Sequence, residues 1–324
     1  MAIFKTPNFD FLKWRWHAFA GSMAIIAVGL AMVVANGLPL GIDFSGGTLI
    51  IVEFERPTTE GAVRDALSAI DEKDIQQYGA VADNQVLVRL PQSGPEEGVS
   101  LELGANAIRA ALDDGDLGNF EVINQELVGP LIGRELTQRG RNAFIFAMLG
   151  ILIYIAMRFR FSFAVGAVVA VAHDILITVS LLMFFGYELS LNVVAAMLTI
   201  TGYSVNDSIV VFDRVRENLR VMRRDAFDHL VNTSINQTLA RTIITSGTTA
   251  FAVLALYVLG GEVLRGFAFT MLIGVISGTY STIFIAAVIA ILISEGKAAK
   301  RQKAAATLAS PPTRSKRRRK ARAS

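Results

Sequence analysis

Six long runs of apolar residues divide the chain and constrain its fold more than any other feature. Each run is close to the ~20 residues that an α-helix needs to cross ~30 Å of hydrocarbon. Hydrophobic residues make up 52% of the 324 residues, and they are concentrated in these runs. The sequence therefore predicts a polytopic α-helical membrane protein with six transmembrane helices, at about 17–36, 142–157, 161–185, 191–212, 243–260 and 267–293.

The first run has two interpretations. Lys5, Lys13 and Arg15 precede it, as basic residues precede a secretory signal peptide, and Ala31 and Ala35 offer small residues for cleavage. However, its apolar stretch is longer than the ~7–15 residues of a signal-peptide core. We therefore expect an uncleaved membrane anchor.

The charges are distributed unevenly along the chain. Segment 37–140 has 18 acidic and 7 basic residues, whereas the tail 294–324 has 11 basic residues and one acidic residue. Basic residues near the ends of membrane helices favour the cytoplasmic side. We expect residues 1–36 to form a cytoplasmic N-terminus and the first helix, and segment 37–140 to lie outside, in the periplasm of a Gram-negative cell.

The basic tail 294–324 is low in complexity, so we expect it to be disordered and cytoplasmic. Each lysine or arginine near a membrane surface adds ~1 kcal/mol of attraction to anionic lipids, which are its expected partners. No nucleic acid is expected, contact with ribosomal RNA being the weaker alternative. The chain has no cysteine, which excludes disulfides and thiolate metal sites.

Segment 37–140 is too long and too regularly patterned to be a loop. It contains four predicted strands and two predicted helices, with a Pro/Gly-rich loop at 91–98. The strands are at 46–55, 74–80, 85–90 and 119–127, and the helices are at 58–70 and 100–114. This β-α-β-β-α-β order predicts a ferredoxin-like α/β domain between helices 1 and 2.

Helices 2–6 are expected within residues 141–293. Gly129-Pro130 interrupts the chain before them, and segment 128–136 is either a hinge between domain and membrane or an ordinary connection. The highly charged segment 213–241 is expected to lie on the cytoplasmic side and to form an interfacial or solvated helix.

The fourth run, Leu191–Phe212, contains Asp207 in its second half. A charge at the centre of a membrane helix costs about 2.5–3.5 kcal/mol to insert, so such a residue is a functional-site candidate that requires a partner. Thr199, Tyr203 and Asn206 are at helical spacing from Asp207, so we expect the four side chains to share one face. That face should look toward protein or a water-filled cavity.

Arg241, at the start of the fifth run, is the best candidate partner. We expect it to share a face with Thr245 and Thr249, at a depth comparable to Asp207. A carboxylate between apolar surroundings and a guanidinium can bind a proton and release the arginine, then reverse both steps. Such a pair could use a proton gradient, which supplies ~2.3 kcal/mol per charge per 100 mV. A static ion pair and an arginine that reaches the membrane interface are the alternatives.

His173 and Asp174 lie near the middle of the third run. Adjacent residues of a helix point ~100° apart, so the two cannot face one partner. Either could join the polar core of helices four and five, as a proton relay or as a hydrogen-bonded packing residue. A histidine without a second ligand argues against a metal. No nucleophile lies in a catalytic motif, so we expect neither enzyme activity nor a cofactor.

The sixth run contains Gly274 and Gly278, which form a GxxxG motif followed by Thr279, Ser281 and Thr282. Small residues at this spacing allow helices to approach closely. We expect this face to pack against another helix, in the same subunit or in a partner.

Several strings together resemble the SecD/SecF family of protein-export membrane proteins, and within it the smaller, SecF-type subunits. The resemblance covers about residues 9–293. In order, the strings are FDFLKWRW (9–16), GIDFSGGT (41–48), VGP (128–130), AHD (172–174), TGYSVNDSIVVFDRVREN (201–218), ARTIITSGTT (240–249) and LRGFAFTMLIGVISGTYS (264–281).

The resemblance implies an accessory subunit of the Sec protein translocase in the bacterial inner membrane. Such subunits pair with SecD, associate with the SecYEG channel and YajC, and use the proton-motive force to pull or release the translocating polypeptide. Related SecDF proteins belong to the resistance-nodulation-division superfamily. A small-molecule or lipid exporter of that superfamily is disfavoured, because such exporters have more helices and much larger outer domains. A non-transporting assembly scaffold is the other alternative.

The resemblance also implies roles for individual residues. Asp207 matches the proton-site aspartate of the family, and Arg241 matches its partner arginine. An outer-domain motif, which we interpret as structural, includes Gly41, Asp43, Gly46 and Gly47.

Overall fold

The computed structural model describes residues 8–70, 73–79, 81–90, 99–159, 161–222, 224–294 and 296. Three expectations fall outside these residues: the loop at 91–98, the cytoplasmic position of residues 1–7, and the disorder of nearly all of the basic tail.

The described part of the chain contains nine α-helices and four β-strands. In chain order they are α1 (Arg15–Asn36), α2 (Ile42–Ser45), β1 (Gly47–Phe54), α3 (Glu60–Ala66), β2 (Asp74–Tyr78), β3 (Gln85–Leu90), α4 (Val99–Asp114), β4 (Phe120–Val128), α5 (Pro130–Arg158), α6 (Phe161–Phe184), α7 (Leu191–Val221), α8 (Phe227–Leu259) and α9 (Glu262–Ser281). After α9, a π-helical turn at Thr282–Ala286 leads into further helix up to Ser294.

Six of these helices are long and apolar enough to cross a membrane, which confirms the predicted fold class. Helices α6, α7 and α9 form the buried centre of the bundle, whereas α1, α5 and α8 are largely exposed. The main apolar core joins residues of the central helices, including Phe163, Phe212 and Ile291.

The α/β domain has the ferredoxin-like arrangement that the sequence predicts. Its four strands form one antiparallel sheet in the order β2-β3-β1-β4. Strand β3 thus separates β1 from β2, the two strands that α3 connects, as in a split βαβ unit. The core between sheet and helices includes Ile50, Val52, Phe54, Ile108 and Leu112. Strand β4 ends at Val128 and α5 begins at Pro130, so only Gly129 separates the domain from the second membrane helix.

Segment 213–241 is largely helical, as expected, but the expectation of one interfacial or solvated helix is wrong. Helix α7 continues to Val221 and α8 begins at Phe227, so the segment is divided between two membrane helices. The reason is that buried residues recur among its charges: Val215 packs in the core with Leu230 and Ile235. Two paired helices therefore extend beyond their apolar runs.

The GxxxG motif packs within the chain. A Cβ atom on Gly274 would overlap the side chain of Ile200, and one on Gly278 would lie 3.0 Å from the Cβ of Ser204. Both contacts are with α7, so these glycines bring α9 against the helix that carries Asp207.

Gly166 on α6 is a similar close approach and yields a test of the packing. A Cβ at this position would lie 2.5 Å from the backbone oxygen of Ala286. We expect Gly166→Ala to destabilise the bundle by about 1–3 kcal/mol, because overpacking forces backbone shifts. Gly150→Ala is the matched control, since nothing lies within 4 Å of that position. Thermal unfolding in detergent measures both, and equal melting temperatures would contradict the packing.

Candidate functional site

Asp207 lies in a buried contact between α7 and α8. Its side chain is buried, and its Oδ1 atom accepts a hydrogen bond of 2.8 Å from the Thr242 hydroxyl. Its Oδ2 atom is also buried but has no hydrogen-bond partner among the described residues. A buried polar atom without a partner costs about 1–3 kcal/mol. This oxygen is therefore a site where a proton, a water molecule or a donor from another subunit would be stabilised.

Arg241 is adjacent to Thr242 on α8 but is not bonded to Asp207. It is exposed, and no ion pair joins it to Asp207 within 4.0 Å in the described part of the chain. The two charges are nevertheless within electrostatic range. Adjacent residues of a helix point ~100° apart, and in this structure it is Thr242, not Arg241, that bonds to Asp207. The expected partners thus lie at one level of neighbouring helices without touching.

The polar face expected on α7 is split. Asp207 is its buried member, whereas Thr199 and Asn206 are exposed. Tyr203 is half-buried, and its hydroxyl donates to the Ser246 hydroxyl at 3.3 Å. Helical spacing grouped these four residues, but the ~100° step between Asn206 and Asp207 separates surface from interior.

The supporting threonines on α8 bind their own helix. Thr245 donates to the backbone oxygen of Arg241, and Thr249 donates to that of Thr245, each at 3.0 Å. Such bonds satisfy hydroxyl groups that face an apolar environment. We use the name polar stripe for five of the exposed polar residues of α7 and α8: Thr199, Asn206, Arg241, Thr245 and Thr248.

Asp174 lies at the centre of the bundle and is fully buried. Three serine hydroxyls donate to it: Ser204 on α7 at 2.6 Å, Ser277 on α9 at 2.6 Å and Ser281 on α9 at 2.7 Å. Asp174 therefore joins α6 to α7, the fourth membrane helix, as expected, but its other partners lie on α9, the sixth, and not on α8, the fifth. We call Asp174 and the three serines the serine cage.

His173 is buried beside the serine cage. Its Nδ1 atom lies 3.2 Å from Asp174 Oδ1, and its ring stacks on Tyr280 with 5.9 Å between centroids. Its Nε2 atom is buried without a hydrogen-bond partner among the described residues. The ring lines an apolar cavity of about 440 Å³ between α1, α6 and α9.

Sequence reasoning missed Thr242, Ser204 and Ser277 as partners of the two buried aspartates. Their signal was weak, because single hydroxyl residues are common in membrane helices. Ser277 and Ser281 are spaced four residues apart on one face of α9, next to the GxxxG glycines, and this spacing is the one available clue.

The outer-domain motif lies where the α/β domain meets the bundle. Gly46 (φ 73°) and Gly47 (φ 130°) adopt backbone conformations that favour glycine, which allows α2 to turn directly into β1. The Gly41 N–H donates to the backbone oxygen of Leu189 at 2.7 Å. Asp43 Oδ2 accepts from the Leu191 N–H at 2.8 Å.

Arg89 of β3 pairs with Glu188 at the same junction. Glu188 precedes α7 and lies outside the membrane-spanning helices. Burial raises the pKa of Glu188 above its ordinary value, and the charge and hydrogen bond of Arg89 offset only part of this rise. Asp74 adds a further, smaller increase to this pKa.

Two family models match the chain: the C-terminal region of the protein export membrane proteins SecD/SecF, over residues 108–296, and the SecD/SecF GG motif, over residues 32–58. The SecF subunit of Desulfurispirillum indicum is 43% identical over 284 residues, which are 86% of this chain and 90% of that protein. The chain belongs to the SecF family. The SecF subunit of Escherichia coli O157:H7 is 40% identical over 285 residues, which are 87% of this chain and 87% of that protein.

Part of each of two solved SecDF structures has the same fold as this SecF-family chain. SecDF from Thermus thermophilus, described as a translocon-associated membrane protein, superimposes with a TM-score of 0.79 at 35% identity. A second SecDF structure, in a super-membrane-facing form, gives 0.67 at 36% identity. The chain covers only 40% and 41% of those SecDF chains. The GG-motif match includes Gly41, Asp43, Gly46 and Gly47.

Proposed function

We propose that this SecF-family chain is an accessory subunit of the Sec protein translocase, which works with SecD to promote protein export across the bacterial inner membrane. Its relatives are named as protein translocase subunits, and SecDF is described as translocon-associated. The proposal includes contact with the SecYEG channel, with YajC and with the translocating polypeptide. It also places the basic tail near anionic lipids.

The α/β domain faces the periplasm in this proposal, and both termini are cytoplasmic. The acidic excess of residues 37–140 supports this orientation. So do Arg214, Arg216 and Arg220, which lie at the end of α7 opposite the domain, because basic residues near helix ends favour the cytoplasm.

Asp207 is the proton-binding residue of the proposal. The observation that carries it is the Oδ2 atom, which is buried inside a membrane helix and has no hydrogen-bond partner in the part of the chain that the structure describes. Arg241 is within electrostatic range of Asp207, on the exposed side of α8. With the carboxylate ionised, the guanidinium is attracted to it; once the carboxyl binds a proton, the attraction ends and the arginine withdraws. This exchange gives α7 and α8 two arrangements that a proton gradient can drive.

SecD is expected to cover the polar stripe. Exposed polar and charged side chains within membrane helices are unfavourable against lipid, so they normally face protein or a water-filled cavity. The chain covers about two fifths of SecDF. The remainder of SecDF supports the proposal that SecD packs over the polar stripe. Donors or acceptors from SecD would complete the site around Asp207.

For His173 and Asp174 we propose a supporting role. The serine cage engages Asp174 with donors from two neighbouring helices, which favours helix packing over titration. A proton relay from the apolar cavity toward Asp174 is favoured by the Nε2 atom of His173, which has no hydrogen-bond partner among the residues that the structure describes.

Expression with SecD in cells that lack the native copies tests the proposed function. We expect the two proteins to co-purify and to restore export of a reporter with a signal sequence. A protonophore should remove this gain while the ATP level is held constant. Restored export that is insensitive to the protonophore would instead indicate an assembly scaffold. An absence of both co-purification and export would overturn the proposal.

A further inference from the structure

The α/β domain is joined by backbone pairing to the segment that immediately precedes α7. The Gly41 N–H donates to the Leu189 oxygen, and the Leu189 N–H donates to the Pro39 oxygen, both at 2.7 Å. Leu40 and Leu189 form an isolated parallel β-bridge at this point. The segment before the domain and the segment before α7 therefore lie side by side as a short ladder.

Asp43 adds a side-chain bond from the domain to the helix itself. The first N–H groups of any helix lack partners within the helix, and carboxylates near this end are stabilising. Helix α7 already has its own cap, because the Ser190 hydroxyl accepts from the Val193 N–H at 3.3 Å. Asp43 is a second cap, for the Leu191 N–H, and it comes from a different domain 148 residues earlier in the chain.

Asp43 is held firmly on the domain side. It lies in α2, which continues through Gly46 and Gly47 into β1, a central strand of the sheet. Helix α5 packs against the same turn: a Cβ on Gly133 would lie 3.2 Å from the Gly46 nitrogen and from the Phe44 oxygen. The turn is thus enclosed by the sheet on one side and by α5 on another.

The ion pair of Arg89 and Glu188 gives the junction a further connection. Arg89 belongs to β3, which pairs with β1, and Glu188 precedes Leu189 and the start of α7. We call the backbone ladder, the Asp43 bond and this ion pair the α7 joint.

We propose that Asp43 is a positioning residue that fixes the α/β domain to α7, so that movement of α7 is passed to the domain through the α7 joint. Helix α7 is continuous from Leu191 to Val221 and contains Asp207. The joint is sixteen residues from Asp207, a distance of about 24 Å at ~1.5 Å per residue. This inference rests on the proposed function and gives the GG motif a part in it.

The first test compares three variants of the full chain in complex with SecD. Asp43→Ala removes the bond between domain and helix, and we expect it to reduce proton-dependent export several-fold or more. Asp43→Asn keeps an acceptor oxygen and should retain most of the export. Ser190→Ala removes the local cap of the same helix end without touching the joint, so it should also retain export. If Asp43→Ala and Ser190→Ala have equal effects at equal stability, Asp43 is only a helix cap and the inference is overturned.

The second test replaces the lost bond with a covalent one. The chain has no cysteine, so Leu40→Cys with Leu189→Cys gives one defined pair. Bridged residues on neighbouring strands are ~4.8 Å apart, and disulfides need Cα atoms about 4.4–6.8 Å apart. In the Asp43→Ala background, we expect oxidation to restore export and a reductant to remove it again. Failure of the formed disulfide to restore export would contradict the inference.

The same cysteine pair with Asp43 intact keeps the test valid if Asp43→Ala does not fold. Because the joint is proposed to move as one body, the oxidised protein should export as well as the reduced protein. Loss of export on oxidation would mean that the joint must open, and would overturn the inference. A wild-type chain without any proton-dependent export would instead overturn the proposed function, which separates the two failures.

Discussion

Asp207→Asn is expected to abolish proton-dependent export while the protein accumulates and binds SecD normally. Asparagine has nearly the same shape as aspartate and can still accept the hydrogen bond from Thr242. It cannot bind and release a proton, however, so the exchange with Arg241 is lost. The expected effect is complete loss of the gain that the proton-motive force supplies, rather than a loss of folding.

The measurement is export of a signal-sequence reporter in cells that lack the native copy, with accumulation and SecD co-purification as controls. Asp213→Asn is the matched variant, since it removes another carboxylate from α7. Asp213 is partly exposed, and its contact with Arg158 at 3.4 Å is a surface ion pair, which contributes about 0–1 kcal/mol. Asp213→Asn should therefore leave export unchanged. Normal export by Asp207→Asn would remove the proton role.

Arg241 has a companion variant. Arg241→Met keeps a long side chain but removes the charge, so we expect the same loss of export as for Asp207→Asn. Arg241→Lys keeps a positive charge without the planar donor geometry and should retain part of the activity. Full export by Arg241→Met would show that the arginine is an interfacial residue, the alternative that the sequence left open.

Asp174→Ala is expected to destabilise the membrane bundle more than any other single change in its polar residues. It would leave buried hydroxyls of Ser204, Ser277 and Ser281 without their acceptor, at about 1–3 kcal/mol for each that finds no other. Because Ser281 can also approach the Gly278 oxygen at 3.3 Å, the costs are not additive. We expect a total of about 2–5 kcal/mol, or a fall on the order of 10 °C in melting temperature in detergent.

Asp174→Asn separates packing from proton transfer. The amide keeps one acceptor oxygen, and serine hydroxyls can rotate to accept from its NH₂ group. We therefore expect a smaller loss of stability and export in proportion to the folded protein that remains. Folded Asp174→Asn protein without any proton-dependent export would instead make Asp174 a titrating residue. His173→Gln removes the imidazole beside the serine cage. We expect it, like Asp174→Asn, to export in proportion to the folded protein that remains.

The overall architecture follows from the sequence because it depends on local patterns. Apolar runs of membrane length predict the six helices, and alternating strands predict the α/β domain, with β3 placed at 85–90 as the structure has it. Helices α7 and α8 extend further than predicted, because the length of an apolar run indicates where a helix crosses the hydrocarbon and not where the helix ends. Val215 and Leu230, buried among charged neighbours, extend α7 and α8 toward each other.

The geometry around the buried acids could not be predicted in the same way. Asp174 is bonded by residues that lie 30, 103 and 107 positions away in the chain, so no spacing rule links them. Asn206 and Asp207 are adjacent and fit one polar face within the tolerance of helical spacing, yet one is exposed and the other is buried. Which side chains of a helix face its neighbours depends on how the helices pack, and not on the sequence of the individual helix.

The short ladder between Leu40 and Leu189 has a consequence for engineering and for evolution. The α/β domain does not behave as an independent cassette that can be exchanged between relatives at its chain boundaries. Residues 39–43 and 188–191 touch although the rest of the α/β domain and two membrane helices, α5 and α6, separate them in sequence. A chimera that inherits the two segments from different parents would have a mismatched contact here. We therefore expect functional chimeras to be those in which both segments come from the same parent protein.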